Sequence, residues 1–185
     1  MRLPPIERPR SLLLRAAYRI SIRQFGRVLT PFKVIYARKP RMLILAGLID
    51  RMMRHGLSLE PGLRLLVQVQ ASRLNGCTFC EDLALAHAVR ERVGSARFGA
   101  LADFRTSSLF SEREKAALAF TEETTRDRHV RDETFAAVRA HFSETEIVEL
   151  AWVNAAENYF NLQAHPLGIG SDELLAAATA GGPAQ

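Results

Sequence analysis

Residues 63–86 read LRLLVQVQASRLNGCTFCEDLALA, and the order of apolar run, break and cysteine pair in them decides the fold. A helix is expected to begin between Ser58 and Pro61, because proline is tolerated in a first turn where its missing N–H would have no partner anyway. It runs to Leu74. Asn75-Gly76 breaks it, and a second helix is expected from Cys77 to Arg92, with both cysteines in its first turn and Gly94 closing it.

Working outward, the same signals recur on both sides. Arg10 to Gln24, Thr30 to Arg38 and Met42 to Arg54 read as helices punctuated by Gly26, Pro40 and Gly56. On the other side, Ser111-x-x-Glu114 and Ser143-x-x-Glu146 are capping boxes that announce helices over 112–125 and 144–163. Between them Asp132 is expected to cap a helix over 133–142. Pro166 and Gly168 end the long helix; a short one over 172–180, capped by Ser171, precedes a Gly-Gly-Pro-Ala-Gln tail expected to fray. No stretch alternates apolar and polar residues with the Val, Ile and Thr enrichment of strands. The fold class is therefore all-α.

The chain of 185 residues suits one compact domain, and 48% apolar with 24% charged residues is ordinary for a globular protein. The longest apolar run, Met42 to Ile49, has eight residues, far short of the roughly 20 that span a bilayer. No export signal is read at the N-terminus, so a cytoplasmic location with no membrane partner is expected. Charge is segregated: residues 1–56 carry 13 Lys/Arg against Glu7 and Asp50, whereas the remainder carries 12 against 18 acids. Those basic residues are interleaved with apolar ones at helical spacing, which favours solvated faces and intersubunit ion pairs over a nucleic-acid arm.

Cys77 and Cys80 are the two cysteines of the chain, and a disulfide between such near neighbours closes too small a loop to staple a fold. Their purpose is chemical. At i, i+3 in a helix they lie on one side, so a disulfide can form and reopen. Unpaired N–H groups and the positive end of the helix dipole favour thiolate, most of all at Cys77. A lone CxxC can also be half of a zinc site, but zinc wants four ligands and His55, His87, His129, His141 and His165 show no matching spacing. No metal and no organic cofactor is expected.

The stretch 63–86, and Asn75-Gly76-Cys77-x-Phe79-Cys80 most specifically, resembles the core motif of the carboxymuconolactone decarboxylase and alkylhydroperoxidase D-like family. Phe142-Ser143-Glu144 through Leu150, with Ala155-Ala156-Glu157-Asn158 and Asn161, resembles its closing helix. The resemblance implies a compact orthogonal helical bundle, here with extra N-terminal helices: a basic segment over 1–56, a core over 57–170 and a short helix and tail over 171–185. It also implies a thiol-dependent peroxidase that forms homo-oligomers and takes a hydroperoxide substrate and an external dithiol reductant. In that chemistry Cys80 is oxidised to a sulfenic acid and Cys77 resolves it. The family's relay glutamate and histidine fall at positions occupied here by Leu65 and Ala84. His87, two turns beyond Cys80 on the same face, is the nearest substitute, acting through water at roughly 10 Å along the axis.

Other residues carry weaker signals. Glu81 and Asp82 sit where acids complement a helix dipole. Glu157, Asn158 and Asn161 share a face of the last long helix and can supply an acid and amide donors to the cysteine helix. Trp152, Tyr159 and Phe160 read as core, and His129, His141 and His165 as structural. Two competing readings stand beside the peroxidase: a decarboxylase-like enzyme acting on a small carboxylate through Arg64, Arg73 or Glu157, and a non-catalytic redox sensor or binding protein.

Overall fold

The computed structural model describes residues 1–180, and the expected fraying of the Gly-Gly-Pro-Ala-Gln tail lies outside them. Nine α-helices appear among these residues: α1 Leu12–Phe25, α2 Pro40–His55, α3 Pro61–Leu74, α4 Thr78–Arg90, α5 Ser95–Gly99, α6 Glu112–Arg126, α7 Asp132–His141, α8 Glu144–Ala164 and α9 Leu174–Ala180. No strand is present among the described residues, in line with the all-α expectation.

Helix α3 is the axis of the molecule. Its residues 63–67 and 69–72 are buried, Arg64, Gln70 and Ser72 included, as in a helix enclosed on nearly every side. Leu63 and Val67 pack with Phe120 of α6 and Val153 of α8, whereas Leu65, Leu66 and Val69 pack on another side with Ala84 of α4, Phe98 and Phe104. A third cluster closes over α4, joining Leu14 and Tyr18 of α1 and Tyr36 to Cys77, Cys80 and Leu174. The N-terminal segment therefore covers the cysteine helix.

Several local expectations are corrected. Helix α4 starts at Thr78, because Cys77 has non-helical φ/ψ of −85° and 87° and serves as its N-cap, so Cys80 alone lies in the first turn. The same helix stops at Arg90, and Arg92 beyond it takes a positive φ of 56°; Gly94 is the N-cap of α5 rather than the end of α4. The segment 30–38 becomes a π-helical turn, Phe32–Tyr36, closed by Ala37 N–H donating to the Phe32 carbonyl at 2.9 Å. Both capping boxes form as expected. Asp132 is the first helical residue rather than the cap of α7; Glu123 of α6 does that work, accepting from Arg131 N–H at 2.9 Å and the Thr134 hydroxyl at 2.7 Å. Helix α9 starts at Leu174 and not at 172, and its cap comes from α4.

Candidate active site

The site is built where α3, the Asn75-Gly76 turn, α4 and α8 meet. Gly76 has φ +66°, a conformation that side chains resist, and a Cβ there would stand 3.4 Å from the His165 ring. His165 Nδ1 lies 2.9 Å from the Gly76 carbonyl, so this histidine pins the turn. From α8, Asn158 and Asn161 each accept from the Asn75 side-chain amide at 2.9 Å. Two of the α8 residues flagged in the sequence thus hold the loop that delivers the cysteines.

Cys77 and Cys80 are joined as a disulfide with Cα atoms 5.4 Å apart. Cys77 Sγ also accepts the Cys80 N–H at 3.4 Å, the capping interaction that favours a thiolate in the reduced state. The two sulfurs differ in access. Cys77 is 1% exposed and buried behind the helix start, whereas Cys80 forms part of the wall of a cavity of about 240 Å³.

That cavity is mostly apolar, walled by Phe25, Phe32, Leu43, Phe79 and Phe160 among others, and the polar groups on it include Tyr36, Gln68, His87, Glu157, Gln163 and the ion-paired Asp50 and Arg54. Glu157 is 4% exposed and accepts from Ser72 Oγ at 2.8 Å, Asn161 Nδ2 at 2.7 Å and Gln68 Nε2 at 3.3 Å. Burial outweighs those donors and pushes its carboxyl up to about 6. His87 is half-buried, edge-on to Phe25 at 6.4 Å between ring centroids. Burial, with Arg54 and Arg90 nearby, lowers its pKa, so the imidazole is neutral at pH 7.

The remaining sequence candidates sort clearly. Arg64 donates to the Met53 carbonyl, and Arg73 pairs with Glu81 at 2.7 Å; neither lines the cavity. Ala84 does line it, whereas Leu65 is buried in the apolar cluster beside Phe98. Phe160 is both core and cavity wall, while Trp152 packs in the core alone. Asp82 is not merely a dipole complement: its carboxylate accepts from Ser171 Oγ at 2.8 Å and from the backbone N–H groups of Asp172, Leu174 and Leu175 at 3.1, 2.8 and 2.8 Å. Tyr36 and Gln163 went unnoticed in the sequence, since neither belongs to a motif.

Comparisons with known proteins agree with this architecture. The sequence profile described as the carboxymuconolactone decarboxylase family matches residues 45–123. The uncharacterized protein YnjA of Escherichia coli is 30% identical over 161 residues, which are 85% of this chain and 87% of that one. Among solved structures, an Agrobacterium tumefaciens protein of unknown function, proposed as an antioxidant defence protein AhpD, superposes with a TM-score of 0.70 at 25% identity, covering 75% of this chain and 96% of that one. The debrominase Bmp8 in complex with 2,3,4-tribromopyrrole superposes with a TM-score of 0.80 at 20% identity, covering 96% and 95%; at that identity the likeness is one of fold.

Proposed function

This chain belongs to the carboxymuconolactone decarboxylase family, and on that premise we propose that it is a thiol-dependent peroxidase whose redox centre is the Cys77–Cys80 pair. The observation that carries the reading is the asymmetry of the pair: Cys80 forms part of the cavity wall and Cys77, bonded to it, lies behind. A substrate entering the cavity meets Cys80 first. Its thiolate attacks the outer oxygen of a hydroperoxide, and the resulting sulfenic acid is resolved by Cys77, whose capped sulfur is the more readily ionised of the two. An external dithiol then reopens the disulfide by exchange.

The missing relay is answered from α8. Glu157, held near 6 and facing the same cavity as Cys80, is tuned to accept a thiol proton near neutral pH. His87, neutral and on the same cavity, is a second base acting through water. The decarboxylase-like alternative loses two of its three residues, because Arg64 and Arg73 are engaged away from the cavity; Glu157 remains on it, and the cation on its wall, Arg54, is paired with Asp50. The reaction fits a reducing cytoplasm, where a disulfide that cycles is catalytic rather than structural, and the protein works as a homo-oligomer.

Stopped-flow consumption of hydroperoxide by the pre-reduced protein tests this. Cys80→Ser should abolish turnover. Cys77→Ser should complete one turnover and leave a sulfenic acid that a cyclic dione traps on Cys80. Full activity in the Cys80→Ser protein overturns the assignment.

A further inference from the structure

Attack of a thiolate on a hydroperoxide creates a charge that the site must meet. The O–O bond breaks, the sulfur keeps the outer oxygen with its hydrogen as S–OH, and the inner oxygen departs as an alkoxide. In an apolar cavity such an anion needs a donor already in place. Glu157 is a poor one, since each of its hydrogen bonds to Ser72, Asn161 and Gln68 uses the carboxylate as acceptor.

Tyr36 is differently situated. It lines the cavity, is 5% exposed, and its hydroxyl has no hydrogen-bond partner among the described residues. Its oxygen is not enclosed by protein, so the donor is free for a molecule in the cavity, whereas the hydroxyl of Tyr18, on the neighbouring helix, is spent on the Ile6 carbonyl at 2.7 Å. Gln163 also lines the cavity, but its Oε1 is enclosed by protein without a partner and does not open onto that space. A free donor on the apolar cavity that Cys80 lines points to a ligand that offers it an acceptor there. A hydroperoxide does so with its inner oxygen.

We propose that Tyr36 is a catalytic residue whose phenol binds the inner oxygen of the hydroperoxide and protonates it as the O–O bond breaks. The proposal rests on the peroxidase reading of Cys80. The balance is simple. Cys80 as thiolate takes the OH of ROOH and becomes the sulfenic acid; RO⁻ takes the phenolic proton and leaves as ROH; the phenolate regains a proton from water. Cys77, as thiolate, then attacks the Cys80 sulfur, the S–O bond breaks, and the departing hydroxide takes up the proton that Cys77 had released, leaving as water. Two electrons pass from the dithiol to the peroxide. Burial first, then Tyr159 and Asp50, holds the Tyr36 phenol above its ordinary range, so it is protonated whenever substrate arrives.

Tyr36→Phe removes only the hydroxyl and keeps the ring that packs edge-on to Phe32 at 5.6 Å. The discriminating experiment is stopped-flow oxidation of pre-reduced wild type and variant by two oxidants, tert-butyl hydroperoxide and peracetic acid. The first expels a strongly basic alkoxide; the second expels acetate, which needs no proton. The expected result is a loss of about a hundredfold with tert-butyl hydroperoxide, the scale for removing one preorganised donor, and little change with peracetic acid. Equal losses with both oxidants, or none with the hydroperoxide, overturn the role of Tyr36 while leaving Cys80 as the site of attack. Wild type whose Cys80 stays reduced in both oxidants overturns the peroxidase reading itself, and the Tyr36 role with it.

Discussion

The carboxylate of Asp82, two residues beyond Cys80, receives the backbone N–H of Leu174 at 2.8 Å and so closes the amino end of α9 from another helix. The same carboxylate holds Ser171, Asp172 and Leu175. Asp172 in turn accepts from the N–H and hydroxyl of Thr30 at 2.7 and 2.6 Å. One acid thus ties the C-terminal segment to the cysteine helix, and a second ties that segment to the N-terminal one.

Loss of that latch should be costly. Asp82→Ala strands three backbone donors, two of them in buried contacts, and the expected destabilisation is on the order of 3 kcal/mol, since an unmet buried donor costs about 1–3 kcal/mol. Urea denaturation measures the loss. Hydrogen exchange should show Leu174 and Leu175 losing protection before the amides of α3 do, because α3 keeps its own contacts. Uniform loss across both helices would mean that the latch secures the whole fold and not α9.

Asp82 also shows what a sequence withholds. Helices, capping boxes and the cysteine pair are legible because each depends on residues close in sequence. Three helix starts depend instead on acids from elsewhere: Asp82 for α9, Glu123 for α7, and Glu149, which accepts from the N–H groups of Ser58 and Leu59 ahead of α3. Ser171 and Asp132 are good local caps by type, and yet neither caps its helix, because Asp82, 89 residues before Ser171, and Glu123, 8 residues before Arg131, supply carboxylate acceptors instead. The site divides the same way. Cys77, Cys80, His87 and the α8 face of Glu157 and Asn161 follow from spacing, whereas Tyr36 reaches the cavity only through the π-helical turn, which no periodicity announces.

Restoring a relay histidine should need one substitution rather than two. Ala84 lines the cavity, so Ala84→His would bring an imidazole to the space shared by Cys80 and Glu157. A faster peroxide reaction is expected, by about tenfold or more, against an overpacking cost of roughly 1–3 kcal/mol. Leu65→Glu is expected to fail. Leu65 is packed among Leu66, Val69 and Phe98 away from the cavity, and a carboxylate there is buried without a partner, at a cost of several kcal/mol. Paired melting curves and stopped-flow rates separate the two outcomes.

Self-association has a definite candidate surface. Ile44, Leu45, Leu48 and Met52 of α2 are all exposed, and four large apolar side chains on one helix make a patch that a lone subunit seldom leaves in water. Multi-angle light scattering should give an oligomer at micromolar concentration, and Leu45→Glu with Leu48→Glu should shift it to monomer without changing the helical signal. An unchanged mass in the double variant would move the interface elsewhere.

The last prediction turns on the proton of Glu157. A carboxyl held above its unfolded value keeps its proton in the folded chain where the unfolded chain has released it. Its contribution to stability is therefore full below about 4.5 and fades as the pH rises through about 6. The difference of about 1.5 units corresponds to about 2 kcal/mol. Glu157→Gln carries no charge to bury, and its carbonyl can still accept from Ser72 and Asn161. The variant should match wild type near pH 4 and exceed its stability at pH 7.5 by up to about 2 kcal/mol. Activity should move the other way: the wild-type peroxide rate should climb through about pH 6 as the carboxylate forms, and the variant should lack that limb and run slower. A stability advantage that is the same at both pH values would show that Gln merely packs better, and a variant retaining the limb would assign the base to His87 instead.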